Sequence, residues 1–189
     1  HLLNQEMMQM GSMIEDSIQK AINALIDQNV ELAKKIMDND TQIDHEQKKI
    51  ENLCFNLLMQ QQPVAKDLRQ ISAALKMITD MERIGDQAED IAETICFLKE
   101  EDRKEDILLP EMAKASIGMV TESVDAFVKH DIMLAEKVIK DDDIVDRYFD
   151  RVKEDLIRKI ADDPKDGEYA IDLLIIAKYY ERIADHAVN

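Results

Sequence analysis

Two stretches of this chain each occur twice at a fixed spacing. Residues 24–44, ALIDQNVELAKKIMDNDTQID, reappear 102 positions later as AFVKHDIMLAEKVIKDDDIVD at 126–146. SAALKMITDMERIGDQAED at 72–90 reappears 99 positions later as IDLLIIAKYYERIADHAVN at 171–189. A self-match at a constant offset means one structural unit used twice. Whatever the first half folds into, the second half must fold into as well.

The unit is helical. Leu, Ile, Met, Ala, Glu, Lys and Gln dominate, all good helix formers, while only 4 glycines and 3 prolines supply tight turns. Apolar residues recur at helical spacing from Met7 through Met37, from Ile43 through Leu58, and from Leu68 through Ile95. The predicted helices of the first copy run over 2–37, then through Ile43 to Leu58, then from Pro63 to about Phe97. Asp38-Asn39-Asp40 reads as the first turn, because short polar side chains cap helices. The second copy is predicted at 109–140, 142–160 and 167–189, with Asp162-Asp163-Pro164 and Gly167 as its last turn. Short connections make neighbouring helices antiparallel. The expected fold is all-α: two tandem antiparallel three-helix bundles at 1–98 and 109–189, related by a pseudo-twofold axis and joined by a charged linker at 99–108. Leu25, Leu53, Leu75 and Ile78 are expected inside the first bundle, and Phe127, Leu156 and Leu174 inside the second. The last helix ends one turn after Asp185, whereas its counterpart continues to about Phe97, so it reads as truncated.

The repeats conserve two acidic pairs in register: Asp40/Asp44 with Asp142/Asp146, and Glu82/Asp86 with Glu181/Asp185. Carboxylates four residues apart share a helix face and repel by a few tenths of a kcal/mol. An acidic stripe is ordinarily just a solvated face. Many acidic pairs here, such as Asp27/Glu31 and Glu89/Glu93, are not matched in the other copy, which has Lys129 and Val188 at Asp27 and Glu89. The register therefore carries more information than the spacing. Four carboxylates on two neighbouring helices form an oxygen-only ligand set suited to hard cations: Mg, Ca, Mn or iron. Zinc prefers Cys and His, so it is not the native metal expected, although it can enter such a site in crystals. His186 and His45 adjoin acidic residues but point about 100° away on a helix, so they read as flanking residues.

Other classes are disfavoured. A net charge of −17 opposes binding to nucleic-acid phosphates or to an anionic membrane surface. No apolar run reaches the roughly 18 residues of a membrane span, and no signal peptide is visible. Cys54 and Cys96 form no CxxC motif, and Cys54 matches Leu156, which suggests a buried apolar role in a reducing, cytoplasmic setting. Ferritin-like di-iron sites need Glu three residues before His. Here Gln42, Phe127 and Ile183 precede His45, His130 and His186. No phosphate-binding loop or catalytic triad stands out. Met7, Met8, Met10 and Met13 read as core filling before they read as an adaptable docking surface. Gly85 and Gly118 lie inside helices, and Ala184 replaces Gly85 in the second copy, so a small residue is expected at a close helix contact. The chain reads as a binding protein, not an enzyme.

The segment QQQPVAKDLRQISAALKMITDMERIGDQAEDIAE (60–93) together with YYERIADHAVN (179–189) closely resembles the PhoU family of phosphate-transport regulators. The resemblance spans nearly the whole chain. It implies two three-helix bundles, metal clusters on the Glu/Asp-x-x-x-Asp motifs, and negative regulation of phosphate uptake and phosphate-starvation signalling. The implied partners are the ATPase subunit of a phosphate ABC transporter, a sensor histidine kinase, or both, and a second copy in a homodimer. Carried over by position, one metal site is Asp40, Asp44, Glu82 and Asp86, and the other is Asp142, Asp146, Glu181 and Asp185. Asp90 and Asn189, one turn further on, are candidates to assist; they differ between copies, so the two sites are expected to differ in affinity. Two alternatives stay open: a metal-free acidic helical scaffold, and a paralogue that regulates a different transporter.

Overall fold

A computed structural model describes residues 1–60, 62–98 and 108–189. The expected linker at 99–108 lies outside the described residues except for Leu108. The described residues form six α-helices and no strand: α1 (Leu2–Asp27), α2 (Val30–Gln60), α3 (Ala65–Phe97), α4 (Leu109–Lys129), α5 (Ile132–Asp162) and α6 (Gly167–Val188), with a 3-10 turn at Pro164–Asp166 before α6.

The helices group as two three-helix bundles. α1, α2 and α3 pack together, as do α4, α5 and α6. Cross-helix bonds show the first and third helices of each bundle running parallel. Gln70 donates to Asn4 at 3.2 Å, and the Ser116 and Ser123 hydroxyls donate to the carbonyls of Tyr180 and Ala187 at 3.3 and 2.8 Å. The bundles join through α1 against α4 and α3 against α6, which leaves α2 and α5 on the two outer flanks. His186 bridges the α3–α6 contact, with its Nδ1 3.0 Å from Asp80 Oδ1.

The first interhelical turn lies about ten residues earlier than the sequence suggests. α1 ends at Asp27, and Asp38-Asn39-Asp40 lies inside α2. The turn is built at Gln28, whose φ of 50° is left-handed, and its counterpart His130 has φ 54°. Asn29 N–H reaches back to the Ala24 carbonyl at 2.9 Å, and Asp131 N–H to the Ala126 carbonyl at 3.0 Å. This is the Schellman arrangement, with Gln or His standing where glycine is usual. Asn29 and Asp131 then cap the next helix, their side chains accepting from the Leu32 and Leu134 amides at 3.1 and 3.0 Å. Likewise α4 ends at Lys129 and α5 continues through Asp142. The missing glycine hid both turns. One physical consequence follows: both members of each Asp pair sit on an unbroken helix.

Ile78 and Leu156 are buried as expected, at 2% exposure each, whereas Leu25, Leu53, Leu75, Phe127 and Leu174 are half-buried at the core edge. Met7 and Met10 fill the core, and Cys54 is a buried free thiol whose pKa is raised chiefly by burial. Each such side chain contributes roughly 1.5–3 kcal/mol when fully buried. No described helix is long and apolar enough to cross a membrane.

Candidate metal centre

α2 and α3 meet at Gly85. A Cβ built there would lie 3.2 Å from both Cδ1 and Cγ2 of Ile43, and 3.6 Å from Asp40 Oδ1. The two contacts with Ile43 are tighter than packed side chains normally accept. The bare backbone therefore allows α3 to bring Glu82, about one turn before it, and Asp86, next to it, against Asp40 and Asp44 of α2. Gly118, by contrast, has open space around it.

The structure brings residues of the first acidic set together. Oxygens of Asp40, Asp44 and Asp86 lie within 4.8 Å of one another. Glu82 completes the set through hydrogen bonds with Asp86 and Asp44; its pKa is pushed up to about 7, chiefly by burial and then by these neighbours. Burial also raises Asp40 and Asp86, with nearby carboxylates adding repulsion. Asp90, one turn on, is raised by burial and by Asp86 and Glu93, while Arg182 from α6 opposes the shift.

In the second cluster, oxygens of Asp142, Asp146 and Asp185 likewise lie within 4.8 Å of one another. The Asp142 carboxyl is pushed up to about 6 by burial and then by Asp146 and Asp185. Burial is also the main cause for Asp146 and Asp185, with Glu181 next for both. Glu181 is thus close enough to act on the cluster, and Lys178 holds it at 2.9 Å. In the first copy, Thr79 stands at the position of Lys178. Asn189 is not drawn into this cluster: its Nδ2 donates to Asp80 Oδ1 at 3.3 Å.

Sequence reasoning set aside one residue that the structure brings in. Glu89 hydrogen-bonds Asp40, and its carboxyl is pushed up to about 8 by burial and then by Asp40. Its counterpart is Val188, so a search for what both copies share removes it. Its signal was its position one turn beyond Gly85 on the Asp86 helix. The first cluster therefore holds six carboxylates: Asp40, Asp44, Glu82, Asp86, Glu89 and Asp90.

The donor chemistry fits a hard cation. The grouped ligand atoms are all carboxylate oxygens, and Oδ1 of Asp40, Asp44 and Asp142 is shielded from solvent with no hydrogen-bond partner. A buried acceptor without a partner costs roughly 1–3 kcal/mol, and a cation would satisfy it.

Fold and site together define a class: duplicated three-helix-bundle proteins with a carboxylate cluster in each repeat. The PhoU domain model matches residues 7–95 and again 109–189. The chain belongs to the PhoU family. It is 38% identical to the "Phosphate-specific transport system accessory protein PhoU homolog" of Aquifex aeolicus, over 94% of this chain and 81% of that one. The protein of the same description in Clostridium acetobutylicum is 37% identical, over 99% of this chain and 86% of the relative. Among solved structures, PhoU from Pseudomonas aeruginosa superposes with a TM-score of 0.91 at 32% identity, covering 99% of this chain and 90% of that one. PhoU from Streptococcus pneumoniae, described as a phosphate transport system regulatory protein, gives 0.90 at 29% identity, with coverages of 100% and 89%.

Proposed function

We propose that this protein is an accessory regulator of phosphate transport that binds hard metal ions at its two carboxylate clusters. In this reading it lowers phosphate uptake and phosphate-starvation signalling by docking on the ATPase subunit of a phosphate ABC transporter, on a sensor histidine kinase, or on both. The observation that supports the regulatory reading is the PhoU match across both repeats. The observation that supports metal is the recurrence of one carboxylate cluster at equivalent positions of both. Iron, Mn, Mg or Ca suits these ligands.

A bound cation supplies positive charge that offsets carboxylate repulsion. Asp40 and Asp44 present their oxygens from α2, and Glu82 and Asp86 from α3, so the charge ties outer helix to inner helix. Asp142 and Asp146 on α5 do the same with Glu181 and Asp185 on α6. No nucleophile or proton-transfer step is required, and the protein acts by binding, not by catalysis. With a net charge of −17, its docking on basic partner surfaces weakens with salt.

Deleting the gene tests the regulatory reading. Phosphate-starvation genes should be derepressed in phosphate-rich medium, and affinity capture should recover a transporter ATPase or a sensor kinase. Unchanged expression with a different transporter recovered identifies a paralogue with another client. Elemental analysis of purified protein tests the metal reading on its own; protein that takes up no metal after reconstitution leaves the acidic scaffold.

A further inference from the structure

The second carboxylate cluster has an ammonium group at its edge. Lys178 of α6 places its Nζ 2.9 Å from Oε2 of Glu181, about one turn further along the same helix. The same Nζ lies 5.1 Å from the centroid of the Phe149 ring, which belongs to α5. Lys178 therefore links the two helices that carry the second cluster. Its charge also reaches Asp185, where it opposes the upward shift caused by burial and by Glu181.

The first repeat has neither half of this arrangement. Thr79 stands at the position of Lys178, and Gln47 at that of Phe149. The Thr79 hydroxyl turns back along its own helix and donates to the Leu75 carbonyl at 3.4 Å. Glu82, the counterpart of Glu181, bonds Asp44 and Asp86 instead. The acids differ in the same direction, since Val188 and Asn189 replace Glu89 and Asp90. Arg83 and Arg182 occupy equivalent positions and do not separate the repeats. Two acids fewer and one ammonium more leave the second cluster three charge units less negative than the first when every group is ionised.

We infer that Lys178 is a tethered counter-ion, standing in at the second site for part of the charge that a metal ion supplies at the first. The inference rests on the metal reading above. A cation over an aromatic face is held electrostatically, so the lysine braces α5 against α6 without metal. It also repels an incoming divalent ion. Side-chain exposures of 46% for Lys178 and 17% for Glu181 put the pair at the rim of the cluster, where water weakens this repulsion without removing it. The first repeat therefore fills first as metal rises, and the second is already partly neutralised. The duplicated unit carries one metal-responsive brace and one built into the chain.

Lys178→Met tests this, because methionine keeps an unbranched, helix-favouring stem beside Phe149 and removes the charge. Lys178→Arg keeps the charge. Both are made in a chain carrying Glu82→Gln and Asp86→Asn, so that manganese(II) binding, measured by competition with a fluorescent chelator, reports the second site. Lys178→Met should bind manganese about tenfold more tightly, the order expected for removing one ammonium from beside a divalent ion. That gain should shrink as salt is raised, and Lys178→Arg should bind as its parent does. In excess chelator, Lys178→Met should melt about 2 °C lower, and Lys178→Arg should not. Helical circular dichroism checks that each variant folds. Manganese binding by Lys178→Met that is no tighter than its parent's overturns the inference, as does an equal gain in Lys178→Arg, which would be an effect of packing. In either case manganese still binds and the metal reading stands. A chain without any of these substitutions that takes up no manganese overturns the metal reading, and this inference with it.

Discussion

Gly85 and Ile43 are a matched pair: the absent side chain of one makes room for the branched side chain of the other, with 3.2 Å left for any Cβ. The second repeat solves the same contact the other way. Ala184 replaces Gly85 and Val145 replaces Ile43, and both are 0% exposed. One methyl moves from one helix to the other at nearly constant volume. This contact sets the spacing of the helices that carry the carboxylates.

Gly85→Ala should therefore destabilise the chain by about 1–3 kcal/mol through overpacking, beyond the few tenths to 1 kcal/mol that alanine contributes as a better helix former. Adding Ile43→Val should recover much of that loss. A double-mutant cycle from urea melts measures the coupling, expected at roughly 0.5–3 kcal/mol for residues in contact. Additive effects would mean that the two do not share a packing volume.

Glu82→Gln with Asp86→Asn should remove metal from the first site and leave the second site loaded. Metal content per chain should fall, and the rise in melting temperature on adding metal should shrink, since ligand binding stabilises the folded state alone. Helical content should stay unchanged. Full metal content in the double variant would assign the ligands elsewhere.

The extra acids of the first cluster give a separate expectation. Glu89→Val with Asp90→Asn converts it to the residues of the second copy. Competition with a fluorescent chelator should then show the affinity of the first site falling towards that of the second. Equal affinities in the parent chain would exclude this role.

Glu46 predicts a pH effect away from the clusters. It is 8% exposed, and its carboxyl is pushed up to about 7 by burial, then by its hydrogen bond with Glu6 and by Glu6 charge. Lys49, 2.8 Å from Glu6, opposes this, and the Glu6 carboxyl is itself lowered, first by its bond with Glu46. The folded state thus keeps the Glu46 proton where the unfolded chain releases it near 4.5. Stability from Glu46 is complete below that pH and is lost as pH rises through 7. Glu6 contributes in the opposite sense and offsets part of the slope. Glu46→Gln should flatten the decline between pH 4.5 and 7 and raise stability at pH 7.5 by about 1 kcal/mol, or about 2–4 °C. Parallel curves for parent and variant would refute it.

Gln28 and His130 hold left-handed backbone without being glycine, a strain of about 1–2 kcal/mol. Gln28→Gly should stabilise by up to about 1 kcal/mol, while Asn29→Ala should cost about 1 kcal/mol by removing the cap on α2. Thermal melts of the two variants should move in opposite directions.

The sequence by itself determined the all-helical class, the duplication and the register of the paired acids. These follow from local periodicity and a fixed offset, which survive without knowledge of any contact. It misplaced the turns at Gln28 and His130, because a left-handed residue other than glycine carries no compositional mark and Asp38-Asn39-Asp40 does. It also passed over Glu89, because comparison of two repeats keeps only what they share. Tertiary structure decided what depends on distance. It set how closely α3 meets α2 at Gly85 and turned Asn189 towards Asp80 and away from the second cluster. Each depends on the volume and direction of side chains far apart in the chain, which periodicity does not encode.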